Sequence, residues 1–348
     1  MTSLRVRALV LAAGEGARLR PLTHQKPKPL LPVAGEPILA HTLSYLADGG
    51  CEAAAINLHH LGRQIRDHLG SHFGELPLVY SEERELLGTL GAVVPLHYVF
   101  EPADLMVVAN GDSLCRWPVK KLIRAHRKHE PAATVLVSEK ADPQRYGGGI
   151  GLDEEGRVVS FKKGTSYGES RRRLVFAGLH VFSPRLIEEV DQGPRDFVRD
   201  LYEPMIRDGL EIRAISTSRD WHDLGTPRRY LEGVLDWTRG RRARRLLGRR
   251  SQVSENAVVD EKAKIQGCAV EDGVEVAAGA VVENSLLLPG ARVGESCEVR
   301  DAIVGFDVVL PPETFVQGRM INAQTAGFTA GPRDSLLGDL VYTPLDEG

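Results

Sequence analysis

The chain has 348 residues, 42% of them hydrophobic and 26% charged, with a formal net charge of -3. That length predicts about two domains of ~150 residues with enough apolar content for a sizeable core, which excludes global disorder. The near-neutral balance offers no overall attraction for nucleic acid or an anionic membrane, so any phosphate site has to be local.

At the N-terminus, the apolar run Ala8 to Ala13 is too short for a secretion signal with a cleavage site and reads as part of a buried strand. Apolar runs at Val6–Ala13, Ala53–Leu58, Leu76–Tyr80, Leu105–Ala109 and Ala133–Val137 predict strands. Between them, Pro37–Leu46 and Leu61–Leu69 carry apolar residues at helical spacing. Alternation of this kind predicts an α/β fold: a Rossmann-like, mostly parallel sheet with helices on both faces, and ligands beyond the carboxyl ends of its strands. Cys51, Cys115, Cys268 and Cys297 stand far apart without a C-x-x-C pair. Neither a zinc site nor a disulfide framework is expected, and a reducing cytoplasm suits them.

A different pattern starts near Gln252. Aliphatic residues fall in columns: Val253, Val270, Leu287 and Val304; Val259, Val276, Val293 and Leu310; Ile265, Val282, Val299 and Val316. Each column steps by 17 residues. This is the signature of a three-sided coil with stacked inward residues, so residues 253–318 are expected to form a left-handed parallel β-helix of four coils. A further column, Asn256, Gly273, Gly290 and Asp307, supplies residues that tolerate positive φ at one corner. The intervening residues 239–252 are rich in arginine and read as a solvated linker, and residues 319–348 form a tail without a period. All eleven histidines precede the repeats, which argues against a histidine-dependent acyltransferase built on the β-helix.

The most informative segment is LAAGEGARLRPLTHQKPKPLLPVAGEPIL, Leu11 to Leu39. Gly14 and Gly16 let backbone N–H groups approach an anion, while Arg18 and Lys28 can balance triphosphate charge. A dinucleotide fingerprint would need a glycine where Leu19 stands, and the G-K-S/T of a P-loop is missing. As a whole the segment resembles the sugar-nucleotide pyrophosphorylase signature, G-x-G-x-R-L-x-P-L-T followed by P-K-P-L-x-P-V and a further glycine, here Gly35. Ala17 stands where a threonine often precedes the arginine.

The resemblance continues through ELLGTLGA (Glu85–Ala92), NGD (Asn110–Asp112) and WHDLGTPRRYLE (Trp221–Glu232), and implies a nucleotidyltransferase domain over residues 1–238. It implies a nucleotide site from Leu11, Ala13, Gly14, Gly16, Glu85, Gly88, Thr89, Asn110 and Gly111, with Mg²⁺ held by Asp112 and Asp223. Both aspartates follow predicted strands, and Mg²⁺ favours one or two carboxylates plus phosphate oxygens. The reaction implied is attack of a sugar 1-phosphate oxygen on the α-phosphorus of an NTP, with Arg18 and Lys28 as the catalytic cations. The nucleophile is already ionised, so no general base is needed.

For the sugar phosphate, YGGGIGLDEEGRVVSFKKG and LVFAGLHVFSP resemble family stretches and point to Gly147, Lys162, Lys163 and Gly178. The glutamate and proline of the family's E-K-P are missing, and Phe176 replaces an asparagine, which leaves the sugar open. Glu85, which the resemblance places near the base, can only accept hydrogen bonds and favours guanine with its two adjacent donors, so GTP is expected, and the resemblance then implies mannose 1-phosphate as the sugar. The alternatives are a UTP-dependent enzyme acting on N-acetylmuramic acid 1-phosphate or glucose 1-phosphate, suggested by INLHHLGRQIRDHLG, and a non-catalytic nucleotide-binding subunit. Expected partners are the NTP and sugar phosphate, with no nucleic acid or membrane, and a homo-oligomer assembled through the β-helix.

Overall fold

The computed structural model describes residues 4–161, 166–239, 251–325 and 329–346. Lys162, Lys163 and most of the arginine-rich stretch, residues 240–250, therefore lie outside the described residues. The chain forms two compact units, Met1–Glu15 with Leu39–Trp221, and Gly16–Ile38 with His222–Gly348.

The first unit is built on a sheet. Val6–Leu11 lies between Ala53–Leu58 and Leu105–Asn110, parallel to both, and Leu76–Glu82 continues the parallel run beyond Ala53–Leu58. Strand order reverses at Val6–Leu11, so the carboxyl ends around Leu11 and Asn110 form a topological switch point, where open α/β sheets place ligands. Arg172–Phe182 adds an antiparallel strand beside Leu105–Asn110 and also pairs with Ala133–Ser138, which Ile212–Thr217 joins in parallel. Leu9, Val108, Val135, Phe182 and Tyr202 belong to one buried cluster. Each such side chain contributes about 1.5–3 kcal/mol of burial free energy.

The strands fall where the apolar runs predict, with one early exit. Val6–Leu11 leaves the ladder two residues sooner than expected because Ala12 N–H turns to donate to Asn57 Oδ1 at 2.8 Å. The helices span Ile38–Asp48 and Gly62–Leu69.

In the second unit, residues from Gln252 onward wind into a three-sided parallel β-helix. The sequence period is its hydrogen-bonding register: Val253 pairs Val270, then Leu287, then Val304, and the other two columns stack likewise. The stack also gains a fifth rung, because Val304 pairs Ile321 of strand Arg319–Ala323. Beyond it the tail folds back, with Leu340–Pro344 antiparallel to Arg319–Ala323 and Ser335–Leu337 outside it.

The corner column is only partly as expected. Gly273, Gly290 and Asp307 take positive φ, but Asn256, in the first coil, is not among the positive-φ residues. Among the described residues no coil precedes it, and its Val253 is 42% exposed. Two further corner columns, Gly279, Ser296 and Glu313, and Gly267, Asn284, Asp301 and Gly318, also take positive φ. Serine and glutamate do not announce such a conformation.

Helix Pro227–Arg239 belongs to the same unit, and its Arg228 grips Asp346 of the tail in a two-pronged ion pair at 2.7 and 2.9 Å. Among the described residues no helix is long and apolar enough to cross a membrane.

Candidate active site

In the second unit, Gly16–Ile38 of the signature segment meets the motif residues from His222 onward. Gly16 adopts φ 61°, and a Cβ there would stand 2.8 Å from Thr23 Cγ2, while the Thr23 hydroxyl donates to Gly16 O at 2.9 Å. This folds the segment so that Lys28 is only 4% exposed. A buried ammonium needs a counter-charge, and Lys28 Nζ lies 3.8 Å from Asp223 Oδ1. The other Asp223 oxygen accepts from Arg229 Nη1 at 2.8 Å.

Gly225 completes this cluster. A Cβ added there would sit 2.7 Å from Arg18 Nη2 and 2.8 Å from Asp223 Oδ1. The guanidinium and the carboxylate oxygen thus converge on a cradle that only glycine leaves open. Arg18, Lys28 and Asp223 lie together, and Arg229, two residues beyond the proline of the same motif, joins them. An acceptor oxygen facing two cations suits a site where metal and phosphate share ligands, and Mg²⁺ asks for few protein carboxylates in such sites.

In the first unit, the residues after Val6–Leu11 run along the switch point. A Cβ on Gly14 would meet nothing within 4 Å, so the space that glycine leaves is not used by the protein itself. Asn57 and Glu83, 3% and 7% exposed, form a relay that no motif announced. Asn57 accepts from Ala12 N–H and donates to Glu83 Oε1 at 2.8 Å, and Glu83 Oε2 accepts from Leu87 N–H at 2.9 Å. The glycine-loop entry is thereby tied to the Glu85–Ala92 segment. His59, near the motif that suggests a uridylyltransferase, bonds through Nδ1 to Glu83 O at 2.9 Å, a packing role.

Within Glu85–Ala92, Glu85 is exposed. Gly88 and Gly91 allow close backbone approach, and the segment they admit is the chain's own: a Cβ on Gly88 would run into the Arg195 carbonyl, to which Leu90 N–H donates at 2.9 Å. Thr89 Oγ1 donates to Asp196 Oδ2 at 2.9 Å and accepts from Phe197 N–H at 3.0 Å.

Gly111 N–H donates to Leu11 O at 2.9 Å, which sets the half-buried Asp112 just past the switch-point strands. Asn110 packs against Gly178, where φ is 80° and a Cβ would stand 2.5 Å from Asn110 Nδ2. That glycine sits in an irregular stretch of Arg172–Phe182, whose Ala177 carbonyl accepts from Trp221 Nε1 at 2.8 Å. Trp221 in turn meets Tyr146 edge to face at 5.1 Å, beside Gly147 with φ 69°. Arg173, also missed from sequence, braces this turn by donating to Gly148 O at 2.6 Å and to Ser160 Oγ at 2.9 Å.

His180 is 2% exposed among Phe176, Phe182, Phe197 and Tyr202, and burial pushes its pKa down to about 3.

A family model described as "Nucleotidyl transferase" matches residues 7–240. The chain belongs to the nucleotidyl transferase family. The resemblance read from Leu11–Leu39 therefore holds at the level of an enzyme of the sugar-nucleotide pyrophosphorylase class, a family that generally uses a divalent metal. A second model, "GlmU-like, C-terminal hexapeptide", matches residues 237–332 and agrees with the β-helix. Mannose-1-phosphate guanylyltransferase of Mycobacterium tuberculosis is 32% identical over 86% of this nucleotidyl transferase and 84% of its own length. The "Mannose-1-phosphate guanylyltransferase catalytic subunit beta" of Drosophila pseudoobscura pseudoobscura is 28% identical over 90% and 92%. Among solved structures, HddC from Yersinia pseudotuberculosis complexed with GMP-PN matches with a TM-score of 0.55 and 25% identity, over 66% of this chain and 97% of that one.

Proposed function

We propose that the protein transfers a nucleotidyl group from GTP to mannose 1-phosphate, releasing pyrophosphate and forming GDP-mannose. The observation that carries this reading is the Gly225 cradle, where Arg18 and Asp223 Oδ1 converge beside the buried Lys28. A phosphate-rich ligand would match that charge pattern, and the opening at Gly14 would let a phosphate approach backbone N–H groups. Guanine and mannose are taken from the relatives' names, two of which are mannose-1-phosphate guanylyltransferases.

In this reading a sugar-phosphate oxygen forms a bond to the α-phosphorus while the α–β bridging P–O bond breaks and pyrophosphate leaves. Arg18, as a planar fork, takes the β- and γ-phosphate oxygens, and Lys28, as a point charge, takes oxygens at the reacting phosphorus. Arg229 holds the Asp223 carboxylate in place from the side away from Lys28. Asp112 and Asp223 are the residues that would hold Mg²⁺, which would supply charge neutralisation at the phosphates when bound. The Leu11–Gly16 loop with Ala13, Asn110 and Gly111 lines the nucleotide, and Glu85 accepts from the guanine edge. Gly147 and Gly178, between the Tyr146–Trp221 pair and Asn110, border the sugar phosphate, with Lys162 and Lys163 as its counter-charges.

We read residues 1–238 as the catalytic domain, 239–252 as a linker, 253–318 as the repeat core and 319–348 as its closing tail, in a cytoplasmic enzyme. The exposed Val253 and Val258 of the first coil, at 42% and 67%, favour assembly through the β-helix, which measurement of the full chain's mass by sedimentation checks. Pyrophosphate release should appear with Mg²⁺, GTP and mannose 1-phosphate. In a panel of four NTPs against mannose, glucose, heptose and N-acetylmuramic acid 1-phosphates, preference for UTP would replace the substrate assignment, and no release anywhere would overturn the activity.

A further inference from the structure

Glu271 lies at the end of the β-helix strand Ala269–Val270 and is only 1% exposed. Its counterparts one coil earlier and one coil later are Ser254 and Leu288, so stacking of the coils does not call for a carboxylate there. Its Oε2 accepts from the backbone N–H of Gly35 at 2.9 Å, while Oε1 is buried without a hydrogen-bond partner among the described residues. Gly35 belongs to the hairpin that pairs Pro32–Val33 with Glu36–Pro37. The two-residue turn has φ 57° at Ala34 and φ 85° at Gly35, the conformation usually supplied by Asn-Gly. Alanine adopts it only under strain, and strained positions persist where the surroundings hold them. Two groups hold this one: Glu271 at the Gly35 amide, and the fully buried Tyr230, whose hydroxyl donates to Pro32 O at 2.8 Å. Lys28 lies four residues before Pro32 in the same segment, already paired with Asp223.

We propose that Glu271 is a positioning residue for the phosphate-binding segment: from within the β-helix it fixes the Pro32–Pro37 hairpin and, through it, Lys28. The β-helix is then part of the catalytic apparatus as well as a scaffold. This rests on the reading that Lys28 engages the nucleotide phosphates.

Ionisation bears on the same contact. Burial pushes the Glu271 carboxyl up to about 7, the Gly35 amide pulls it down, the neighbouring Asp272 raises it and the Ala34 amide lowers it. Tyr230 faces it from helix Pro227–Arg239, with its own ionisation pushed well above the usual range by burial and by Glu271. The hairpin presents the two amides, and the next coil presents Leu287, whose carbonyl accepts from Glu271 N–H at 3.0 Å. A carboxyl group whose folded pKa is raised favours folding below its unfolded pKa, and that advantage is lost as pH rises through about 7. The ionised form, in contrast, makes the stronger hydrogen bond to Gly35. Fold stability and loop fixation therefore respond to pH in opposite directions.

The test uses the full chain as wild type, Glu271→Gln, Glu271→Leu and the control Glu283→Gln. Pyrophosphate release is followed from pH 5.5 to 9, with urea unfolding at pH 5.5 and 8. Glu271→Leu, which copies Leu288, should fold at least as stably as wild type at pH 8 yet lose roughly 10- to 100-fold in kcat. The ratio of wild-type to Glu271→Gln kcat/KM should rise through an inflection near pH 7, while the ratio to Glu283→Gln stays flat. The folding equilibrium constant of wild type relative to Glu271→Gln should fall roughly 30-fold between the two pH values. Full kcat in Glu271→Leu, or a pH-independent wild-type to Glu271→Gln ratio, overturns the proposal. Absence of release by wild type with every substrate pair overturns the activity reading instead, and the unfolding data then still decide whether Glu271 titrates in the buried contact.

Discussion

The β-helix and the sheet unit solve the same problem, burial of aliphatic side chains, by opposite means. In the β-helix every strand pairs with one 17 residues away, so Val253, Val270, Leu287, Val304 and Ile321 stack in chain order. In the sheet, Leu11 sits between Asn57 and Asn110, whose distances along the chain follow no rule. A repeated local rule gives a stack of alike parts. Irregular long-range pairing brings unlike parts together, and the buried Asn57–Glu83 relay comes from it. In the second unit the signature segment and the Asp223 motif likewise converge from distant stretches, with Lys28 meeting Asp223.

The sharpest way to test this contrast is to remove a charged group from the convergent cluster. Asp223→Asn should lower the rate of pyrophosphate release by roughly 10²–10³-fold, with far-UV circular dichroism unchanged. Near-normal turnover would remove Asp223 from the site. On the repeat side, Leu287→Ala opens a cavity at a fully buried position of its column and should cost about 2–5 kcal/mol in urea unfolding. A loss below 1 kcal/mol would mean the stack relaxes around the gap.

Asn57→Ala tests whether the unlike parts depend on one another. It strands the Ala12 amide and the Glu83 carboxylate, so about 1–3 kcal/mol of stability should go, together with a raised KM for NTP. An unchanged KM would separate the relay from nucleotide binding. Gly14→Ala should do least to the fold, within about 0.5 kcal/mol, because its Cβ meets nothing. If tighter or equal nucleotide binding accompanied it, phosphate would not approach at that loop.

Legibility in the sequence follows the same division. The 17-residue period could be read as strand register because neighbouring coils repeat the same chemistry, down to three aliphatic columns. Its corners were harder: Gly273 and Gly290 announce positive φ, whereas Ser296 and Glu313 take it because the stack imposes it. Lys28, Asp223 and Arg18 were legible because each lies in a dense motif. Asn57, Glu83, Arg173 and Glu271 were not, since each acts on a partner 13 to 236 residues away and has an ordinary neighbourhood in the chain. Gly88 shows the limit of motif reading, since the motif gave no sign of the Arg195 backbone that its missing Cβ admits.

The uniform rise of the coils makes them exchangeable in principle. Excising residues 287–303 would join Leu286 to Val304 with every inward column still in step, and duplicating the same stretch would lengthen the stack by one turn. Such cassettes could set the length of the solenoid at will while keeping Glu271, which reaches Gly35.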